Sequence, residues 1–250
     1  MLHQVKLGLL VLIVALVFAG CGSGKSKAIE SLAQANVEPV ASIPEQDIHL
    51  YPAEEGVVLK IGELQQQMNW AYSTPRQLMP VLQVNDYNQD GKDELAVVLP
   101  IGSGTGVAVE ELHLVEFLEA DGTAERPWTD HVYPSEEYMK QLRETLGFKK
   151  VYKDGELFGQ LTIADQLHEV SLKDVEQEYG SGSIHDELGF GSIVKFGIEK
   201  ETLTFTAAIG FVIDGVAEPQ YFGELTAVVS YASGKFKLDQ YRFTGYSTNS

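Results

Sequence analysis

From Thr202 onward the sequence alternates with a period of two. Leu203, Phe205, Ala207, Ile209, Phe211 and Ile213 recur at every second position, and Thr202, Thr204 and Thr206 fall between them. Successive side chains of a strand point to opposite faces, so the pattern sets an apolar row against a row of hydroxyls. Asp214-Gly215 then supplies a turn. A second run, Gln220 to Tyr231, carries Leu225, Ala227, Val229 and Tyr231 on one face. Ser233-Gly234 turns into a third run, Lys235 to Phe243. Three long strands joined by short turns predict an antiparallel meander with one face half-solvated, which explains the threonines. The expected fold is therefore mainly β (α+β): an antiparallel sheet with a C-terminal β-meander and one or two helices.

Shorter strand signals precede it. Val57–Leu64, Met79–Val84 and Leu95–Leu99 read as strands, as do Leu157–Ile163 and Leu167–Leu172. Val107–Leu118, with His113, Val115 and Phe117 in alternation, reads as a strand at least as well as a helix. One helix is predicted from Ser135. That residue can cap it, Pro134 precedes it, and Glu136 and Glu137 lie in its first turn. Tyr138, Leu142 and Leu146 give it an apolar stripe, and Gly147 suits its end. The glycines of Gly102–Gly106, and Gly180, Gly182, Gly189 and Gly191 within Glu176–Ser192, predict loops.

Between two of these strands lies Asp86-Tyr87-Asn88-Gln89-Asp90-Gly91-Lys92-Asp93-Glu94-Leu95. Side-chain oxygens fall at loop positions 1, 3, 5 and 9, with glycine at 6. A hard cation such as Ca²⁺ takes about six to eight oxygens. Asp86, Asn88, Asp90 and Glu94 would offer side-chain oxygens and Lys92 its carbonyl, with water completing the shell. Three carboxylates repel one another in an empty site, so a divalent ion relieves that repulsion. An EF-hand would need a bidentate Glu at position 12, and Val97 stands there. The shorter loop, running straight into a strand, resembles the calcium loop of the FG-GAP and VCBS repeats. Those families repeat the loop around a propeller. It occurs once here, so the resemblance implies the ion and not the propeller. The competing reading is a metal-free turn, since Asp-Gly is itself a hairpin signal.

The amino end carries a second message. Lys6 precedes an apolar run, Leu7 to Ala19. The run is short for a membrane span, which needs about 20 residues, and suits a signal-peptide core. It ends in Val17-Phe18-Ala19-Gly20-Cys21, which resembles the lipobox of bacterial lipoproteins, with Phe18 where that family prefers Leu. The resemblance implies cleavage before Cys21, diacylglycerol on its sulfur, and a protein held to the outside of the cell membrane. Cys21 is the chain's one cysteine, so no internal disulfide can form. The expected organisation is a signal peptide over 1–20 and a lipidated tether over 21–56, marked by Gly, Ser and Pro39, Pro44 and Pro52. A β-rich domain then spans 57–250 and contains the ion loop at 86–95.

Composition narrows the function. Apolar residues make up 44% of the 250 residues, enough for a sizeable core. A net charge of −18 repels nucleic acid, so no phosphate-backbone partner is expected. No Gly-x-Ser-x-Gly elbow or His-Glu-x-x-His helix occurs. Ser183, His185 and Asp186 are neighbours in sequence, whereas a triad is assembled in space. No catalytic residue is assigned. The expectation is a cell-surface lipoprotein whose calcium-ordered domain binds a protein, glycan or wall polymer. Exposed aromatics such as Tyr221 or Tyr241 on a flat sheet face would favour that reading. A pocket of converging acids or a His–acid pair would favour the alternative, a surface-anchored hydrolase.

Overall fold

The computed structural model describes residues 37–73, 78–118 and 128–246. The segment expected to be a signal peptide, and Cys21, lie outside them. The described part begins with a four-stranded antiparallel meander: β1 (Ala41–Ile43), β2 (Ile48–Pro52), β3 (Val57–Ile61) and β4 (Leu64–Met68). The tether expected to reach residue 56 is therefore too long. Ile48 and Leu50 are buried on β2, Pro44 opens a 3₁₀ turn, and Pro52 ends a strand. Prolines that read as linker are punctuation within a sheet. The single strand expected over Val57–Leu64 breaks at Gly62, and the glutamine-rich Leu64–Met68 returns beside it.

The main body is a nine-stranded sheet. Its strands are β5 (Val81–Asn85), β6 (Glu94–Gly104), β7 (Val107–Phe117), β8 (Trp128–Val132), β12 (Ile184–Gly189), β13 (Ile193–Glu199), β14 (Thr202–Ile213), β15 (Gln220–Ala232) and β16 (Lys235–Gly245). The C-terminal meander β14–β15–β16 forms as the alternation predicts, with Leu225, Ala227, Val229 and Tyr231 all buried. Its aromatics do not form an exposed platform. Tyr221 is half-buried, and Tyr241 packs on the core and accepts a hydrogen bond from the Thr145 hydroxyl.

The sheet forks at β7. One edge of β7 pairs fully with β6. The other edge pairs with β13 in parallel at Ala108 and Val109, and with β8 from His113 to Phe117. At the fork the Glu110 carboxylate accepts the Phe196 N–H at 2.8 Å, satisfying a donor that the diverging strands leave open. The sheet also curls. Side chains of Gln83 and Asn85 on β5 donate to the Lys200 carbonyl, in the turn between β13 and β14.

A smaller three-stranded sheet comprises β9 (Leu146–Lys153), β10 (Glu156–Ile163) and β11 (Gln166–Ser171). Helices Ser135–Thr145 and Lys173–Tyr179 flank it in sequence. The first helix buries Tyr138 and Leu142 as its stripe predicts. Ser135 does not cap it, because Pro134 holds the cap position and no side-chain cap bond forms. Leu146 and Gly147 belong to β9 instead of the helix end, with Leu146 turned to an extended conformation. The loop expected over Glu176–Ser192 contains the end of the second helix and β12. Gly189 sits inside β12, where a Cβ would meet Pro219 at 2.4 Å, so that glycine serves close approach and not a turn.

β6 is the centre of the molecule. Leu95, Val97 and Leu99 pack against the four-stranded meander, with Ile48, Leu50, Leu59 and Trp70. Ala96 and Val98 on its other face join a larger core with Phe205, Tyr138, Leu142 and Leu161. An unbroken apolar run is what a strand covered on both faces requires.

Candidate metal centre

The ion loop is the connection of the β5–β6 hairpin. Asn85 pairs with Glu94, so residues 86–93 lie between the two strand ends. Gln89 and Gly91 both adopt positive φ, 60° and 87°. Gly91 pays no steric penalty there, and a Cβ would meet nothing within 4 Å, so its backbone angle alone selects glycine.

These bends turn the oxygens inward. Asp86 Oδ1 accepts the Asp90 N–H at 3.0 Å, and Asp86 Oδ2 accepts the Gly91 N–H at 2.9 Å. Asn88 Oδ1 accepts the same Asp90 N–H at 2.8 Å. Asp90 Oδ1 accepts the Lys92 N–H at 2.9 Å. Glu94 closes the loop from the strand side. Its Oε2 accepts the Tyr87 N–H at 2.8 Å and its Oε1 accepts from Asn88 Nδ2 at 3.0 Å. One carboxylate oxygen from each of Asp86, Asp90 and Glu94 lies within 4.8 Å of the others.

The electrostatics are those of a crowded acidic pocket. Glu94 is buried, Asp86 half-buried and Asp90 exposed, so the cluster opens to solvent on the Asp90 side. Burial pushes the Glu94 carboxyl above its ordinary range, and the charges of Asp90 and Asp86 add to the shift against the hydrogen bonds from Tyr87 and Asn88. The Tyr87 phenol is also raised by burial and by Glu94. A cation at the centre would offset this mutual repulsion. The donor set is all oxygen, which suits a hard ion such as Ca²⁺ or Mg²⁺.

Of the five ligands expected from the spacing, the fold brings together Asp86, Asp90 and Glu94, with Asn88 bonded to both Asp90 and Glu94. Lys92 takes part through its N–H. Beside the loop lies a cavity of about 300 Å³, lined by Tyr87, Gln89, Glu201, Thr202, Ser230 and Gln240. It joins the loop to the far end of the curled sheet, and its walls mix uncharged hydrogen-bonding groups with the apolar Leu203, Val228 and Val229.

The other polar cluster considered in the sequence is placed differently. His185 is exposed and pairs with Asp214 at 2.7 Å and with Glu187 at 3.7 Å, not with Ser183. These neighbours raise its pKa, chiefly through the Asp214 hydrogen bond. What sequence reading missed is a buried imidazole at the fork, His113, held between the partly exposed carboxylates of Glu111 and Asp130. The alternation that put His113 in phase with Val115 was its one signal. No protein-family model, curated protein or solved structure matches the chain.

Proposed function

We propose that this is an extracytoplasmic lipoprotein, anchored to the bacterial cell membrane through lipid on Cys21. Its β-rich domain is ordered by one Ca²⁺ ion and serves as a binding or scaffold module. The observation that carries the reading is the convergence of Asp86, Asp90 and Glu94 within 4.8 Å at the end of a hairpin. The loop's resemblance to the FG-GAP and VCBS calcium loop supports calcium over other hard ions. The ligand class is a protein, glycan or wall polymer outside the cell, and the acidic surface disfavours nucleic acid. Tyr221 and Tyr241 do not supply its platform, and the His185–Asp214 and His113–Asp130 pairs are the features that favour the alternative, a surface-anchored hydrolase. The cavity beside the loop is the surface where a polar ligand would meet an ion-ordered wall.

Extracellular calcium modules bind with dissociation constants of about 10⁻⁴ to 10⁻³ M. At tenfold excess over that constant, calcium adds about 1.4 kcal/mol of stability. For a domain of this size the melting temperature should rise by about 3–6 °C. Thermal unfolding followed by circular dichroism, with calcium and then with a chelator, reads this shift. Asp90→Ala should remove it, because Asp90 contributes an oxygen from the open side of the cluster. A shift that persists in Asp90→Ala would reject the site.

The anchor is tested separately. Cys21→Ala removes the acceptor sulfur and should move the chain from the detergent phase to the aqueous phase on partitioning. Unchanged partitioning would mean that something other than a lipidated cysteine holds it.

A further inference from the structure

Besides Glu94, His113 is the one polar or charged residue fully buried among the described residues. It sits on β7 at the fork, under the four-stranded meander. Its Nδ1 lies 3.0 Å from Asp130 Oδ1, and its Nε2 lies 2.9 Å from Glu111 Oε1. The Trp70 ring stands 4.5 Å from the imidazole at a tilt of 34°. The Trp70 indole N–H donates to the other oxygen of Asp130 at 2.6 Å.

A neutral imidazole has one N–H and one lone pair. With a carboxylate at each ring nitrogen, only the doubly protonated ring satisfies both. Loss of the proton leaves a lone pair of the buried ring facing a carboxylate oxygen, which is costly. We propose that His113 is a proton-operated latch: its imidazolium holds Asp130 and Glu111, and through Asp130 holds the Trp70 end of the β1–β4 meander on the main sheet.

Among the described residues, Asp130 and Glu111 are the charges that act on His113, and the Tyr138 phenol faces Glu111. β7 supplies Glu111 and β8 supplies Asp130, while β6 faces His113 with Val97 and β8 also with Val132. The segment after β4 supplies Trp70, and Tyr72 packs on the same core. Burial alone would lower the imidazole pKa. The hydrogen bonds and charges of Asp130 and Glu111 outweigh it, and the net shift is upward from 6.5. The sign follows. A raised folded pKa gives stability that is complete below 6.5 and lost as pH rises through the folded value. The rest of the interface is apolar, with Ile48, Leu50 and Leu59 against Leu95, Val97 and Leu99. Deprotonation therefore loosens the Trp70 end without releasing the meander. The latch does not depend on the cation site.

The test uses the detergent-solubilised full-length chain carrying Trp128→Phe, which leaves Trp70 as the one tryptophan of the two. Trp128 Nε1 has no hydrogen-bond partner, so phenylalanine costs it none. Trp70 fluorescence is followed across about pH 5 to 10. A transition with its midpoint above 6.5 is expected, and His113→Gln should abolish it. Glu111→Gln removes one of the two carboxylate charges and should keep the transition and lower its midpoint. Flat emission, a transition that survives His113→Gln, or a midpoint unmoved by Glu111→Gln would each overturn the latch.

Discussion

Phe205→Ala is expected to lower the unfolding free energy by about 3–5 kcal/mol, the range for truncating a buried aromatic. Phe205 lies on β14 with no exposed surface. Its ring is 5.3 Å from Tyr138 and 5.5 Å from Phe196, and Tyr138 in turn meets Tyr133 edge-on at 5.6 Å. These rings come from the helix, from β13, from β14 and from the segment after β8. The cavity would open where four parts of the chain meet, and none can shift inward without dragging its strand or helix. At about 2–4 °C per kcal/mol, the melting temperature should fall by about 6–20 °C. Calorimetry or urea unfolding reads the change. A loss below about 1 kcal/mol would show that the alternating row of β14 does not face the main core.

Glu94→Ala should have the second-largest effect, for two separable reasons. The carboxylate accepts the Tyr87 N–H and an N–H of Asn88 in a place that water does not reach. Removing it strands the Tyr87 donor, at a cost of about 1–3 kcal/mol. Part of this is offset without calcium, because the repulsion from Asp86 and Asp90 disappears with the charge. With calcium present the variant also forfeits the ion's contribution, so the gap from wild type should widen as calcium is added. Glu94→Gln separates the two effects, since it keeps an acceptor and loses the charge. It should recover most of the calcium-free stability and none of the calcium response. Binding requires the ionised carboxylate. With the Glu94 pKa raised, affinity should weaken on acidification at a higher pH than an ordinary carboxylate would give. A gap between Glu94→Ala and wild type that calcium does not change would separate Glu94 from the ion.

The parts of the fold visible in the sequence are those whose periodicity is local. β14, β15 and β16 are long and alternate without interruption, so each run declares itself. The β5–β6 hairpin is legible because its loop chemistry and the apolar run Leu95–Leu99 stand side by side. Elements whose inner face is short or diluted stayed hidden. β4 is Leu-Gln-Gln-Gln-Met, and β9 interleaves three lysines with its apolar residues directly after a helix. β1 and β2 were masked by prolines that read as tether. The fork at β7 rests on long-range pairing, and nothing near Ala108 in the sequence announces Ile193.

The site divides the same way. Spacing marked the oxygens of Asp86, Asn88, Asp90 and Glu94, because a hairpin loop that turns its oxygens together is a local structure. It did not reveal that Glu94 also satisfies the loop's own N–H groups. Nor did it reveal the His113 group, whose carboxylates and indole come from three separate segments.

The central claim is that Asp86, Asn88, Asp90 and Glu94 surround one calcium ion. Its most direct test is isothermal titration of the full-length chain with calcium chloride. The account predicts a saturable heat corresponding to one ion per chain, with a dissociation constant of about 10⁻⁴ to 10⁻³ M, and no such heat in Asp90→Ala. A wild-type chain that gives only dilution heat, or an Asp90→Ala chain that binds as wild type does, would contradict it.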